Sequence, residues 1–235
     1  MPIKLTNHRF CTLFTLGKGL NITKENLTEF GIPCVNYGQI HSKYGFEVIP
    51  ERHILPFVSE DYLLQNEKAL IYFGDFIFAD TSEDITGSGN FTYLNSNIQT
   101  FAGYHTIIAR PKKELNYRYI AYYFDSNAFR QQIQSKVKGV KVYSITNSIL
   151  KNTILSIPPL AEQQKIVAYL DKITAKIDIV IGKIEQEISL LGEYRTRLIS
   201  DVVTGKINIS DFVDTHGRAY LQSPPPITQI KKTKK

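Results

Sequence analysis

The stretch Asp84-Ile85-Thr86-Gly87-Ser88-Gly89-Asn90 comes nearest to a catalytic pattern, because D-x-x-G-x-G is the spacing of a loop that wraps a nucleotide-like cofactor. Such a loop has to open an amphipathic helix, and no helical periodicity follows Asn90. Ser223-Pro224-Pro225 shares its prolines with the S/N/D-P-P-aromatic signature of amino-methylating enzymes but lacks the aromatic residue. An S-adenosylmethionine-dependent methyltransferase is set aside on both counts. Asp75, Asp80, Glu83 and Asp84 cluster carboxylates, yet no P-D followed by E-x-K accompanies them, which argues against nuclease chemistry. Asp84 ahead of Gly87 is ordinary turn chemistry. No catalytic residue, cofactor or metal ligand is expected.

Binding chemistry is better represented. The net charge is +6, and its distribution says more than its sum. Residues 1–109 carry 7 basic and 11 acidic side chains, residues 110–151 carry 9 and 2, and residues 161–210 carry 7 and 7. Arg110, Lys112, Lys113, Arg118, Arg130, Lys136, Lys138, Lys141 and Lys151 form the basic block, which suits phosphate contact. Lys136, Lys138 and Lys141, around Gly139, are its strongest phosphate candidates. For double-stranded DNA the remaining candidates are Lys18 between Gly17 and Gly19, Asn36 and Tyr37 at the end of the first strand, Lys43 and Tyr44 in a polar loop, and Ser88, Asn90, Tyr104 and His105 in or beside glycine-containing loops. Each has a structural alternative: Asn36 can bond its own turn, and Tyr37 and Tyr104 can be core aromatics. His105, inside an apparently buried strand, is more often structural than functional.

The elements that must position these residues are of two kinds. Up to residue 157 the sequence reads as an α+β domain of short strands: Ile32 to Tyr37, Ala69 to Phe73, Asp75 to Ala79 and Gln99 to Ala109. Glycines punctuate them. Tyr117 to Phe124 and Ala128 to Val137 carry helical spacing. Residues 158–208 then form one long helix, entered after Pro158-Pro159 and stopped at Gly205. Ile166, Leu170, Ile173, Ile177, Val180, Ile184, Ile188, Leu191, Leu198 and Val202 alternate steps of mostly four and three, the seam of a coiled coil with a local stutter at Ile184 to Ile188. Such a stripe needs a partner helix. Residues 209–235 read as a flexible basic tail. No apolar run reaches the length of a membrane span and the first residues lack a signal-peptide pattern. Cys11 and Cys34 read as small hydrophobes in a reducing compartment, so the cytoplasm is expected.

At Ile157-Pro158-Pro159-Leu160-Ala161-Glu162-Gln163-Gln164-Lys165-Ile166-Val167 the chain resembles the entry to the long helix of specificity subunits from type I restriction-modification systems. Arg195-Thr196-Arg197-Leu198-Ile199-Ser200-Asp201-Val202-Val203-Thr204-Gly205-Lys206-Ile207 is similar to that helix's ending. Gly139, Ile145, Leu150, Lys151, Asn152 and Ile157 fall where the family's recognition domains close, and Gly31-Ile32-Pro33 with Gly74-Asp75-Phe76-Ile77-Phe78-Ala79 looks like its core strands. The resemblance implies a β-rich target-recognition domain and a coiled-coil helix in a non-catalytic, DNA-reading subunit. It also implies partners: a modification (methyltransferase) subunit and a restriction subunit. Family members usually carry two such domains and two helices, where this chain has one of each. Two copies pairing antiparallel would read an inverted repeat; pairing with a different half subunit would read an asymmetric one, and a coiled-coil regulator without its own DNA role is the third alternative.

Overall fold

The computed structural model describes residues 4–139 and 141–207, and its packed unit reaches Lys172. A five-stranded sheet lies at its centre in the order β2 (Phe14–Lys18), β11 (Thr106–Pro111), β7 (Phe76–Ala79), β9 (Phe91–Leu94) and β4 (Phe46–Val48). All its pairings are antiparallel except β4 with β9. A four-stranded sheet runs β5 (Phe57–Val58), β3 (Ile32–Val35), β10 (Thr100–Ala102) and β6 (Leu70–Ile71). Two short ladders complete the strands: β1 (Thr6–Arg9) with β13 (Ile154–Ile157), and β8 (Thr81–Ser82) with β12 (Tyr143–Ser144).

The alternation along β7 explains the layering. Successive side chains of a strand point to opposite faces, and all four residues of β7 are buried. Phe76 and Phe78 enter a core shared with α1 (Phe10–Leu13), α4 (Tyr117–Asp125), α5 (Asn127–Gln134) and α6 (Asn147–Lys151). Ile77 and Ala79 enter a second core that takes Val35, Ala102 and Ile71 from the four-stranded sheet and Ile40 from α2 (Tyr37–Ser42). A further short helix, α3 (Tyr62–Gln65), follows β5. Phe124 lies among the rings of Phe10, Phe14, Phe76, Phe78, Phe91 and Phe129, with centroids 4.5–5.7 Å away. Such tilted and edge-on pairs add to the burial of area.

Three of the expected strands are shorter than their apolar patterns, and of Ala69 to Phe73 only β6 is strand. The run from Ile32 leaves the sheet at Val35, because Asn36 opens α2 by donating its N–H to the Gln39 side chain at 3.1 Å. The run from Gln99 to Ala109 is broken at Gly103-Tyr104-His105 into β10 and β11. A Cβ on Gly103 would run into the Asn36 side chain, so this turn requires glycine.

The long helix is one continuous element, α7 (Leu160–Val203), and Gly205 beyond it has φ +73°. Its first turns belong to the packed unit. Gln163 is buried, donates to the Pro158 carbonyl at 2.9 Å and accepts from the Asn116 N–H at 3.3 Å. Ile166 and Val167 pack on the phenylalanine core. Arg118 and the Tyr122 hydroxyl both donate to Asp171 Oδ1, at 2.7 and 2.6 Å. From Ile173 onward the helix is a second unit. Ile177, Val180, Ile184, Ile188, Leu191 and Leu198 of the expected seam are exposed there, and so are Ile179, Ile181, Leu190 and Ile199 beside and behind it. The expected tail, residues 209–235, lies outside the described residues. Among the described residues no helix is long and apolar enough to cross a membrane.

Candidate nucleic-acid interface

Backbone hydrogen bonds gather several candidate residues at one end of the central sheet. The turn between β10 and β11 carries Tyr104 and His105 and is tied on both sides. Gly19 N–H donates to the Thr106 carbonyl at 3.1 Å, and Asp80 N–H donates to the His105 carbonyl at 3.0 Å. Lys18 faces Ile107 across the β2–β11 ladder, so it lies beside this turn with its side chain exposed. Ile145 N–H donates to the Asp80 carbonyl at 2.8 Å, bringing the segment that carries Lys141 and Val142 to the same end.

Tyr37 at the start of α2 completes an aromatic group. Its ring lies 5.6 Å from Tyr104 and 5.4 Å from His105, both edge to face. Next to it a cleft of about 700 Å³ is lined by Tyr37, His41, Thr81 to Asp84, Asn90 and Val142, among others. Its walls carry the carboxylates of Glu83 and Asp84. Asp84 Oδ1 accepts from the Thr86 hydroxyl at 2.7 Å and the Gly87 N–H at 2.6 Å. Those bonds, the Thr86 one first, hold its pKa below the ordinary carboxylate value. The loop from Asp84 to Asn90 leads into β9, not into a helix, so it lacks the architecture of a cofactor-binding turn.

Several candidates are occupied by the fold. Asn36 is 1% exposed and its Oδ1 accepts from Tyr104 N–H at 3.2 Å, so it supports the turn from beneath. Ser88 is fully buried. Asn90 is held at both ends of its amide: it donates to His41 Nδ1 at 2.9 Å and accepts from Arg130 at 2.7 Å. His41 Nε2 therefore carries the proton and donates to the Thr81 carbonyl at 2.8 Å. Tyr44 stacks on His53 at 4.3 Å and donates its hydroxyl to the Ile54 carbonyl. Lys43 is exposed at the end of α2 but does not line the cleft.

The basic block is smaller in space than in sequence. Arg110 clamps the buried Asp75 carboxylate at 2.8 Å and lies over the Tyr72 ring. Arg118 pairs with Glu47 and Asp171, and Arg130 with Asp125. Lys112 donates to the Cys11 carbonyl. Lys136 reaches the Asn152 carbonyl at 3.4 Å. Lys138 and Lys141 are exposed, and no hydrogen bond or ion pair holds either among the described residues. Burial pushes the Cys34 thiol up to about 12, so it is no nucleophile. Among the described residues no His/Cys/Asp/Glu group could hold a metal ion.

Sequence reasoning offered His105 as a candidate but set it inside a buried strand. It sits on the exposed tip of the turn, not within a buried strand, with φ +55°. The signal was the Gly103-Tyr104-His105 interruption, since His joins Asn and Asp among the non-glycine residues that enter the left-handed region.

Residues 13–190 match the family model described as the type I restriction modification DNA specificity domain. The specificity subunit of the type I restriction enzyme EcoKI from Escherichia coli K12 is 26% identical over 153 residues, 65% of this chain and 32% of that protein. The StySPI specificity subunit from Salmonella potsdam is 30% identical over 98 residues, covering 42% of this chain and 21% of that protein. The solved S subunit of a type I system from M. genitalium has a TM-score of 0.52 at 18% identity, covering 84% of this chain and 46% of that one. The chain matches about a third or less of those curated relatives and under half of that solved one.

Proposed function

Because the chain belongs to the type I restriction-modification DNA specificity domain family, we propose that it reads one half of a bipartite DNA target and directs a type I modification and restriction complex to it. The observation that carries this reading is the extent of the family match, which takes in the packed unit and most of α7 in one run. On this reading residues 1–157 are the target-recognition domain, residues 158–208 the helix that pairs with a partner, and residues 209–235 a basic tail. The Tyr37, Tyr104 and Lys18 end of the central sheet faces a major groove, and Lys138 and Lys141 hold phosphates.

The chain itself is the recognition component and catalyses nothing; methyl transfer and cleavage come from modification and restriction subunits. The exposed seam from Ile177 to Leu198 takes a second copy in antiparallel register, which would set two recognition domains a fixed distance apart along the duplex. The helix spans roughly 65 Å at about 1.5 Å per residue, enough to leave bases between the half-sites unread. The complex acts in the cytoplasm.

The test is to express the chain with a modification subunit in a methylation-free bacterium and map modified bases across the genome. A split inverted-repeat motif is expected. A split asymmetric motif would replace the homodimer with a mixed pair. Absence of any motif from a soluble, associated complex would overturn the DNA-reading role, and methylation by this chain alone would overturn its non-catalytic one.

A further inference from the structure

We propose that His105 is a specificity-determining residue, presenting its Nε2 to a base edge in the major groove; this role rests on the DNA-reading function proposed above. Three features of the turn place the ring for directional recognition. The backbone is left-handed, with φ +55° at a residue that carries a side chain. Such conformations persist where the surroundings over-determine them and are found at functional positions. The surroundings here do so: Asp80 N–H binds the His105 carbonyl while Asp80 Oδ1 takes Nδ1 at 3.1 Å. Tyr37 and Tyr104 box the ring edge to face at 73° and 78°.

The chemistry then falls on the other nitrogen. The carboxylate can only accept, so Nδ1 carries the proton, and Nε2 has no partner among the described residues. The side chain is 55% exposed, held rigidly and aimed from a strand turn rather than a long loop. A fixed ring loses little entropy on making a directional bond. A phosphate is the poorer occupant of this position. Asp80 stands directly behind the ring, and Glu83 and Asp84 line the neighbouring cleft, so an anion would be repelled where a base edge would not. Phosphate contact falls instead to Lys18 beside the turn, whose side chain is exposed and has no hydrogen bond or ion pair among the described residues.

His105→Asn tests this with the least disturbance, because asparagine tolerates the left-handed backbone while removing the imidazole. His105→Gly relieves the backbone and removes the side chain altogether. Each variant is assembled with a modification subunit, and genomic methylation is mapped beside that of the wild type. Bound duplexes are also selected from a random pool by each purified complex, which reads the motif when methylation is weak. The expected result is loss of base preference at one position, or two adjacent ones, of each half-site in both variants, with the rest of the motif kept. An unchanged motif in both measurements overturns the proposal, as does a uniform loss of affinity over all sequences, which marks a phosphate contact. Failure of both variants to assemble makes the turn purely structural and overturns it too. A wild type with no motif overturns the DNA-reading function itself, which separates the two failures.

Discussion

Phe124 on α4 and Ile177 on α7 are both bulky apolar residues on helices, and their surroundings are opposite. Phe124 is wholly buried among the rings of Phe10, Phe14, Phe76, Phe78, Phe91 and Phe129. Ile177 is 50% exposed, in a unit where Val180, Ile184, Ile188, Leu191 and Leu198 are exposed as well. The packed unit buries most of its hydrophobic residues within the chain, whereas the helix beyond Lys172 carries a stripe that is left exposed among the described residues. A helix of that length can persist on local hydrogen bonding, but scattered surface apolar residues do not line up at coiled-coil spacing without a reason. The first region is built to hold a shape, and on the proposed function the second is completed by another molecule.

The comparison breaks most sharply at Phe124. Phe124→Ala removes the ring on which the others converge and should lower the stability of the packed unit by about 3–5 kcal/mol. Urea unfolding followed by circular dichroism measures it. A loss under about 1 kcal/mol would mean that the core closes around the gap and is not organised on this ring. Ile177→Asp should do the reverse. It leaves the unfolding of the packed unit unchanged but places an unpaired charge in the proposed seam, weakening association by roughly a hundredfold or more. Sedimentation velocity on the chain with its modification subunit reads that change. Normal assembly by the variant would remove the coiled-coil role from this stripe.

The same contrast explains what could be read from the sequence. Periodicity and punctuation reveal a long helix well, because Pro158-Pro159, the four-three spacing and Gly205 are all local signals. They also reveal β7, whose apolar run is short and bounded. They fail where tertiary contacts decide. Tyr37 continues an apolar run, yet the capping exchange between Asn36 and Gln39 turns it into the start of α2. The arginines of the basic block look alike in sequence, and only the fold shows that Arg110, Arg118 and Arg130 neutralise Asp75, Glu47, Asp171 and Asp125 inside the protein. Tyr37, Tyr104 and Lys18 meet at one end of the sheet because β2, β10 and β11 bring together positions that are far apart in sequence.

The smallest expected effect follows from that sorting of charges. Substituting Lys136, Lys138 and Lys141 with alanine should weaken binding to cognate and scrambled duplexes alike, since phosphate contacts carry no sequence information. Each phosphate neutralised contributes about 0.9 to the slope of log affinity against log salt. Lys138 and Lys141 are free to make that contact, while Lys136 already donates to the Asn152 carbonyl at 3.4 Å. The triple variant should therefore flatten the slope by about 2 per half-site, about 4 for a two-copy complex, rather than about 3 per half-site. Titrations of a duplex at several salt concentrations measure it. A fall of about 3 per half-site would mean that Lys136 leaves Asn152 for the backbone of DNA, and an unchanged slope would take the whole patch out of the interface and leave Lys18, beside the His105 turn, as the phosphate candidate.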